Sequence, residues 1–276
     1  MGLRINTNIG AMSANRALSK TQESQAKSYE RLASGQRITQ AGDDAAGLSI
    51  SENLRSQIRS MGQAERNAND GISFTQVAEG GLTEIGNIMI RLRELAIQAS
   101  SDTVGDKERG FINKEAQSLT QEVDRIAQVT NFNGTPLLNG AGKDLEFQVG
   151  IYAGENDRIK FESRDHDVRT SNLGIAGINF TNIDDARDAI DKVDKGLNVV
   201  LTSRASLGAM QSKLHSTVNN LNVTKENLAE ARSRIADTDL ATETSELVQK
   251  NILSAAGVSV LAQANSSPTQ ALKLLG

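Results

Sequence analysis

An aliphatic residue recurs every seven positions through the second half of the chain. Such a heptad repeat is typical of a helix that packs along another helix in a coiled coil. The only prolines are Pro136 and Pro268, so no strong helix breaker interrupts the repeat. We therefore predict one long helix over about residues 183–235. The repeating positions are Ala186, Val193, Val200, Leu207, Leu214, Leu221, Leu228 and Ile235.

Two earlier segments, residues 44–99 and 106–129, also have apolar residues at helical spacing. Glycines such as Gly71, Gly80 and Gly81 each weaken the first of these helices by about 1 kcal/mol relative to Ala, so that helix needs tertiary support. The predicted fold class is mainly α, a long antiparallel helical bundle or coiled coil.

The segment 131–180 differs from the rest because it is rich in Gly and Asn. Two short runs, 145–151 and 158–162, flank the turn sequence Gly-Glu-Asn-Asp at 154–157. This pattern predicts a small β-hairpin within the helical protein.

The stretch AGDDAAGL at 41–48 places two carboxylates side by side between glycines. We interpret it as a helix start, with Asp43 as the cap and Asp44 in the first turn near the positive end of the helix dipole. A metal or catalytic site would need further converging ligands, and none is identifiable.

Composition argues against several classes of function. The net charge is -4 and basic residues are spread along the chain, so neither nucleic acid nor a membrane is expected as a partner. No segment has the length and apolarity of a membrane span or of a general secretory signal peptide. Neither a zinc-hydrolase HExxH motif nor a phosphate-binding GxxxxGK[ST] loop occurs. We therefore predict no catalytic residues, no metal and no cofactor.

The two ends of the chain point to assembly. Residues 3–33 have only a loose apolar pattern, whereas residues 247–264 are apolar around most of a helix circumference. Because one helix cannot cover such a surface, we expect other copies of the chain to bury it. The predicted subunit-assembly residues are Ile5, Ile9, Val248, Ile252, Leu253, Val258, Val260 and Leu261.

Both ends also resemble one known family. The stretches RINTNIGAMSANRAL, SYERLASGQRITQAGDDAAGLSISENLRSQIRS and NANDGISFTQVAEGGLTEIGNIMIRLRELAIQAS are similar, in order and spacing, to the N-terminal region of bacterial flagellin. The segment NFNGTPLLNG and the last 46 residues, from ARSRIADTDL to ALKLLG, resemble the same family.

The resemblance implies a secreted, extracellular subunit that self-assembles into the helical flagellar filament for swimming motility. Residues 1–40 and 240–276 would form an inner terminal coiled coil, and residues 41–239 a helical rod domain that includes the hairpin region 131–180. It also implies export through the flagellar type III apparatus without cleavage and an export chaperone on the C-terminal segment. Further implied partners are the filament cap and the hook–filament junction proteins.

Two further sites follow from the resemblance and from the expected pairing of the chain ends. The family's contacts with a mammalian Toll-like receptor match Arg91, Leu95 and Glu115. A hinge at Arg37, Gly42, Asp237 and Asp239 is expected where the two ends enter the inner shell, with Arg31 or Arg37 near Asp237 or Asp239. We expect these charges to influence filament curvature.

Two alternatives stay open. A secreted coiled-coil effector or adhesin would not polymerise. A hydrolase that uses Asp43 and Asp44 would bind metal and lose activity in a double Asn variant that still assembles.

Overall fold

The computed structural model describes residues 7–273, with only the backbone described for 268–273. Most of the chain is helical. The helices are α1 (Ile9–Ser34), α2 (Ala45–Ala99), α3 (Asp106–Val129), the short α4 (Thr170–Leu173), α5 (Ile183–Ala236) and α6 (Leu240–Lys273). The strands are β1 (Asn131–Phe132), β2 (Thr135–Pro136), β3 (Leu145–Gln148) and β4 (Arg158–Phe161).

The predicted fold class is confirmed, and the three predicted helices match α2, α3 and α5 to within a residue. The first six positions of the heptad repeat, from Ala186 to Leu221, are all buried, whereas Leu228 and Ile235 are only half-buried. The chain divides into two compact units. The first contains the two ends of the chain, up to Ile58 and from Glu226 onward, and the second is Arg59–Lys225. The predicted boundaries at 40/41 and 239/240 stay a prediction.

The predicted hairpin exists in the second unit, where β3 pairs antiparallel with β4. Its turn is longer than predicted because a 3-10 helix occupies Glu155–Asp157. A second, smaller hairpin joins β1 to β2 through Asn133 and Gly134, which both have positive φ angles of 49° and 77°. An Asn-Gly pair at such a turn is a sequence signal that could have identified it.

An aromatic cluster holds these hairpins on α2. The Phe74 ring meets Phe132, Phe147 and Phe161 edge to face, with centroids 4.7–5.8 Å apart. His166 stacks on Phe161 at 4.8 Å, and its Nδ1 is buried without a hydrogen-bond partner. Burial lowers the pKa of His166, and the nearby Asp165 carboxylate only partly opposes this shift.

Three side chains form hydrogen bonds between separate segments of the second unit. Arg109, which is 6% exposed, donates to the carbonyls of Ala99 and Ser101 and so caps the end of α2. On α3, Asn113 accepts from the Phe180 N–H, and Asp124 accepts from the N–H and hydroxyl of Thr170. These bonds tie the segment before α5 to α3.

In the first unit α1 pairs antiparallel with α6, which confirms the terminal coiled coil. α1 ends at Gly35, whose φ of 69° favours glycine. Within residues 7–273, no helix is both long and apolar enough to span a membrane.

Candidate assembly surface and hinge

An exposed aliphatic surface runs along α6. Its members, here called the α6 apolar surface, are between 51% and 63% exposed in the single chain. Ile9 on α1 is similarly exposed at 63%. Such a density of exposed aliphatic side chains is typical of an interaction surface. The α6 apolar surface consists of Val248, Ile252, Leu253, Val258 and Val260.

Two of the predicted assembly residues differ from the other six. Ile5 lies outside the described residues. Leu261 is half-buried and shares its helix face with residues that contact α1, so in this structure its side chain is largely used within the chain. The other six predicted residues are all exposed.

The contact between α1 and α6 has the spacing of a coiled coil but an unusual composition. On each helix seven of the buried or half-buried residues recur at alternating intervals of three and four, and only four of these fourteen are large aliphatic residues. We call this set the α1–α6 seam. It consists of Ala11, Ala14, Leu18, Thr21, Gln25, Ser28 and Leu32 on α1, and Glu243, Leu247, Lys250, Ser254, Gly257, Leu261 and Ala264 on α6.

The predicted hinge segments do meet. The Arg37 N–H donates to the Ala236 carbonyl at 2.7 Å, the Thr238 N–H donates to the Gly35 carbonyl at 3.0 Å, and Gln36 forms a β-bridge with Asp237. Gly42 is exposed, and a Cβ there would meet no atom within 4 Å. The two chain ends are therefore linked mainly through their backbones.

The expected pairing of arginines with Asp237 or Asp239 is not found among the described ion pairs. The Arg37 guanidinium donates to the Ile235 carbonyl at 2.7 Å, and Arg31 lies 3.9 Å from Glu243 instead. Asp239 is occupied as the cap of α6, accepting from the Ala241 and Thr242 N–H groups. The Thr242 N–H, followed by that of Ala241, lowers the pKa of Asp239. The effect of this hinge on curvature stays a prediction.

The AGDDAAGL stretch starts a helix as expected, but the roles of its two carboxylates differ from the prediction. Asp44, not Asp43, caps α2, because its Oδ1 accepts from the Gly47 N–H at 2.8 Å. Asp43 lies 3.6 Å from the Lys27 ammonium. Desolvation raises the pKa of Asp43, but the Thr39 hydrogen bonds and Lys27 outweigh it, so the net shift is downward. In the described part of the chain, no cluster of three or more acidic or histidine side chains could hold a metal.

The three residues matched to receptor contact separate into an exposed pair and a core residue. Arg91 donates from Nε and Nη2 to Glu115 Oε1 at 3.0 and 2.9 Å, and these bonds, followed by that to Glu94, raise its pKa. Leu95 is only 1% exposed and packs in the core of the second unit. Leu95 therefore does not share the exposed surface of Arg91 and Glu115, and a receptor contact at these residues stays a prediction.

Sequence reasoning missed the polar residues of the seam. Ser28 is 1% exposed and Glu243 is 7% exposed, and both face the partner helix together with Lys250. Their heptad spacing was present in the sequence, but a search for apolar residues does not detect a seam of small and polar ones.

Comparison with known proteins gives a consistent family. Residues 5–143 match the bacterial flagellin N-terminal helical region, and residues 190–275 match the bacterial flagellin C-terminal helical region. The chain is 42% identical to a flagellin of Halalkalibacterium halodurans, over 98% of this chain and 99% of that protein. It is 41% identical to a flagellin of Bacillus subtilis, over 99% of this chain and 100% of that protein.

A solved structure agrees with these matches. The crystal structure of Bacillus cereus flagellin superposes with a TM-score of 0.51 and 28% identity, covering 56% of this chain and 88% of that one. A flagellar filament 31.3 kDa core protein of Treponema maltophilum is also 41% identical, over 98% of this chain.

Proposed function

The chain belongs to the bacterial flagellin family, and we propose that it polymerises into the extracellular flagellar filament through the exposed apolar residues of its terminal helices. It is a structural subunit whose work is mechanical, and we assign it no catalysis. Because its flagellin relatives match over their full length, a non-polymerising effector or adhesin is not favoured.

The α6 apolar surface is the observation that carries this proposal. Burying an aliphatic side chain completely is worth about 1.5–3 kcal/mol, and these five are still about half exposed. Covering the remainder contributes about 4–8 kcal/mol per subunit. That is enough to provide much of the free energy of association.

The same surface supports the proposed partners. Five exposed aliphatic residues on one helix make the free chain prone to premature association, so a chaperone that covers the C-terminal segment before type III export is consistent with it. The filament cap and the hook–filament junction proteins would meet the subunits at the two ends of the polymer.

We also propose that a mammalian Toll-like receptor contacts the exposed ion pair of Arg91 and Glu115. Arg is often a dominant residue in protein interfaces, and here Glu115 holds its guanidinium in one orientation. Leu95 has no place in this contact, because it is buried.

Seeded polymerisation tests the main proposal. Filament seeds are added to purified protein, and elongation is followed by electron microscopy and sedimentation. A variant with Val248→Ser, Ile252→Ser and Val258→Ser should not elongate seeds. A matched control with Ala255→Ser and Ala262→Ser, at exposed positions of the same helix, should elongate them. Equal elongation by both variants would contradict a role for the α6 apolar surface.

A further inference from the structure

The orientation of α6 poses a physical problem. Its face toward α1 is the small and polar half of the α1–α6 seam, whereas Val248 and Ile252 lie on the opposite side and are exposed. Burial of apolar area alone favours the reverse arrangement, in which the aliphatic side of α6 covers α1. An interaction other than apolar burial must therefore determine which face of α6 packs on α1.

Lys250 has the contacts that such a selection requires. From its seam position on α6, its Nζ donates to Ser28 Oγ at 2.7 Å and to Glu246 Oε2 at 3.0 Å. It also lies 4.0 Å from Glu243 Oε1. Ser28 is almost completely buried, so its hydroxyl depends on Lys250 for a partner. The Lys250 side chain itself is only 19% exposed.

Glu243 adds a buried negative charge next to Lys250. Glu243, on the same face about two turns before Lys250, lies between the Arg31 guanidinium at 3.9 Å and the Lys250 ammonium at 4.0 Å. Glu243 Oε1 and Arg31 Nε are buried without hydrogen bonds. A buried carboxylate that loses a neighbouring cation is strongly unfavourable, so Glu243 needs Lys250 in place.

Resting on the proposed function, we propose that Lys250, together with Glu243, is a positioning residue that selects which face of α6 meets α1. A polar residue at a coiled-coil seam is known to specify pairing at a cost in stability. Here the specification keeps the α6 apolar surface free for neighbouring subunits instead of letting α1 cover it.

Apolar packing along the seam provides one competing determinant. A Cβ at Gly257 would lie 3.2 Å from Leu18 Cδ1, so Leu18 fits over the smallest residue of the α6 face. This notch also favours the observed face, as does the partial burial of Leu247 and Leu261 in the seam. Truncation of Lys250 and Glu243 separates its effect from that of the charges, since Leu18 and Gly257 stay unchanged.

Disulfide formation can report the face directly, because the natural chain has no cysteine. Gln25 and Asn251 are in side-chain contact, so the pair Gln25→Cys/Asn251→Cys reports the observed face. Ile252 lies on the side of α6 that faces away from α1, so Gln25→Cys/Ile252→Cys reports a rotated α6. Mobility on a denaturing gel distinguishes links within one chain from links between chains.

In the parent we expect only the first pair to crosslink within a chain. In Glu243→Ala/Lys250→Ala the ratio of the first crosslink to the second should fall by about tenfold or more, the change expected when a hydrogen bond to a charged group is lost. Lys250→Arg should preserve the parent ratio. Lys20→Ala, which removes an exposed lysine beside the same helix pair, is the control and should also preserve it.

Elongation of seeds provides the second readout. The double Ala variant should elongate poorly, and oxidation of Gln25→Cys/Asn251→Cys in that background, which locks the observed face, should restore elongation. An unchanged crosslink ratio in the double Ala variant would overturn the proposal, and so would a locked variant that still fails to elongate. A parent that never elongates would instead refute the proposed filament function, while the crosslink ratio would still decide the face selection.

Discussion

Two adjacent glycines in α2 differ sharply in their surroundings and therefore offer a paired test of the packing. Gly80 is exposed, and a Cβ built on it meets no atom within 4 Å. A Cβ built on Gly81 would lie 2.8 Å from Leu138 Cδ1 and 2.8 Å from Thr130 Oγ1. Gly81 thus marks a point where the segment after α3 lies close against α2.

The two substitutions should gain the same free energy from helix propensity but differ in how the added methyl group packs. Replacing a helical Gly by Ala stabilises a helix by about 1 kcal/mol. At Gly80 nothing opposes this gain, so Gly80→Ala should raise the free energy of unfolding by about 1 kcal/mol. At Gly81 the added methyl group must displace Leu138, which is completely buried, and Thr130, whose hydroxyl donates to the Ile126 carbonyl.

Overpacking of this kind costs about 1–3 kcal/mol, so Gly81→Ala should change the free energy of unfolding by about 0 to -2 kcal/mol. The two variants should therefore differ by about 1–3 kcal/mol. Urea denaturation of the unpolymerised full-length chain, followed by circular dichroism, measures both. Equal stabilisation by the two substitutions would refute the close approach of Leu138 and Thr130 to α2.

Four other outcomes are expected. Burial lowers the pKa of His166 below its ordinary 6.5, so the unfolded chain binds a proton at His166 more readily than the folded chain. The free energy of unfolding should therefore fall as the pH decreases below about 6.5. His166→Phe should remove this contribution of His166 to the pH dependence, as measured by thermal melts at several pH values. Arg109→Met should lower the free energy of unfolding by about 2–4 kcal/mol in urea titrations, and a loss below 1 kcal/mol would contradict its role as a buried cap. Asp44→Ala should cost about 0.5–2 kcal/mol and Asp43→Ala less, with the reverse order contradicting the assigned cap. Residues 41–239 alone should form a helical monomer that melts cooperatively but does not elongate seeds, which thermal melts and sedimentation check.

The sequence by itself determined the second unit well. The α5 repeat could be recognised because its seam consists of large aliphatic residues such as Val200 and Leu207, which are buried by the same chain that contains them. α3 was predictable for the same reason, since periodicity reports burial wherever an apolar face is covered within the chain. The β3–β4 hairpin was predictable from the turn sequence between its two strands. The matching segments at both ends were enough to indicate the family.

Local geometry at the candidate sites depended on tertiary contacts. Neighbouring carboxylates such as Asp43 and Asp44 have equal capping propensity, and only the path of the backbone into α2 decides which one reaches the Gly47 N–H. Leu95 lies one turn from the exposed Arg91, yet the packing of α3 and α5 on α2 places it in the core. Arg37 could reach either carboxylates or carbonyls, and the β-bridge at the hinge favours the Ile235 carbonyl.

The faces through which α1 and α6 pair were decided only by the tertiary structure. Their seam is composed mainly of small and polar residues, including Ser28, Lys250 and Gly257, while the aliphatic residues of α6 remain outside it. A sequence pattern records how much apolar surface a helix has, but not whether its own chain or another copy covers that surface. Where the largest apolar face is reserved for other subunits, the intrachain contact depends on hydrogen bonds and charges, whose partners become visible only when the two ends of the chain are placed side by side.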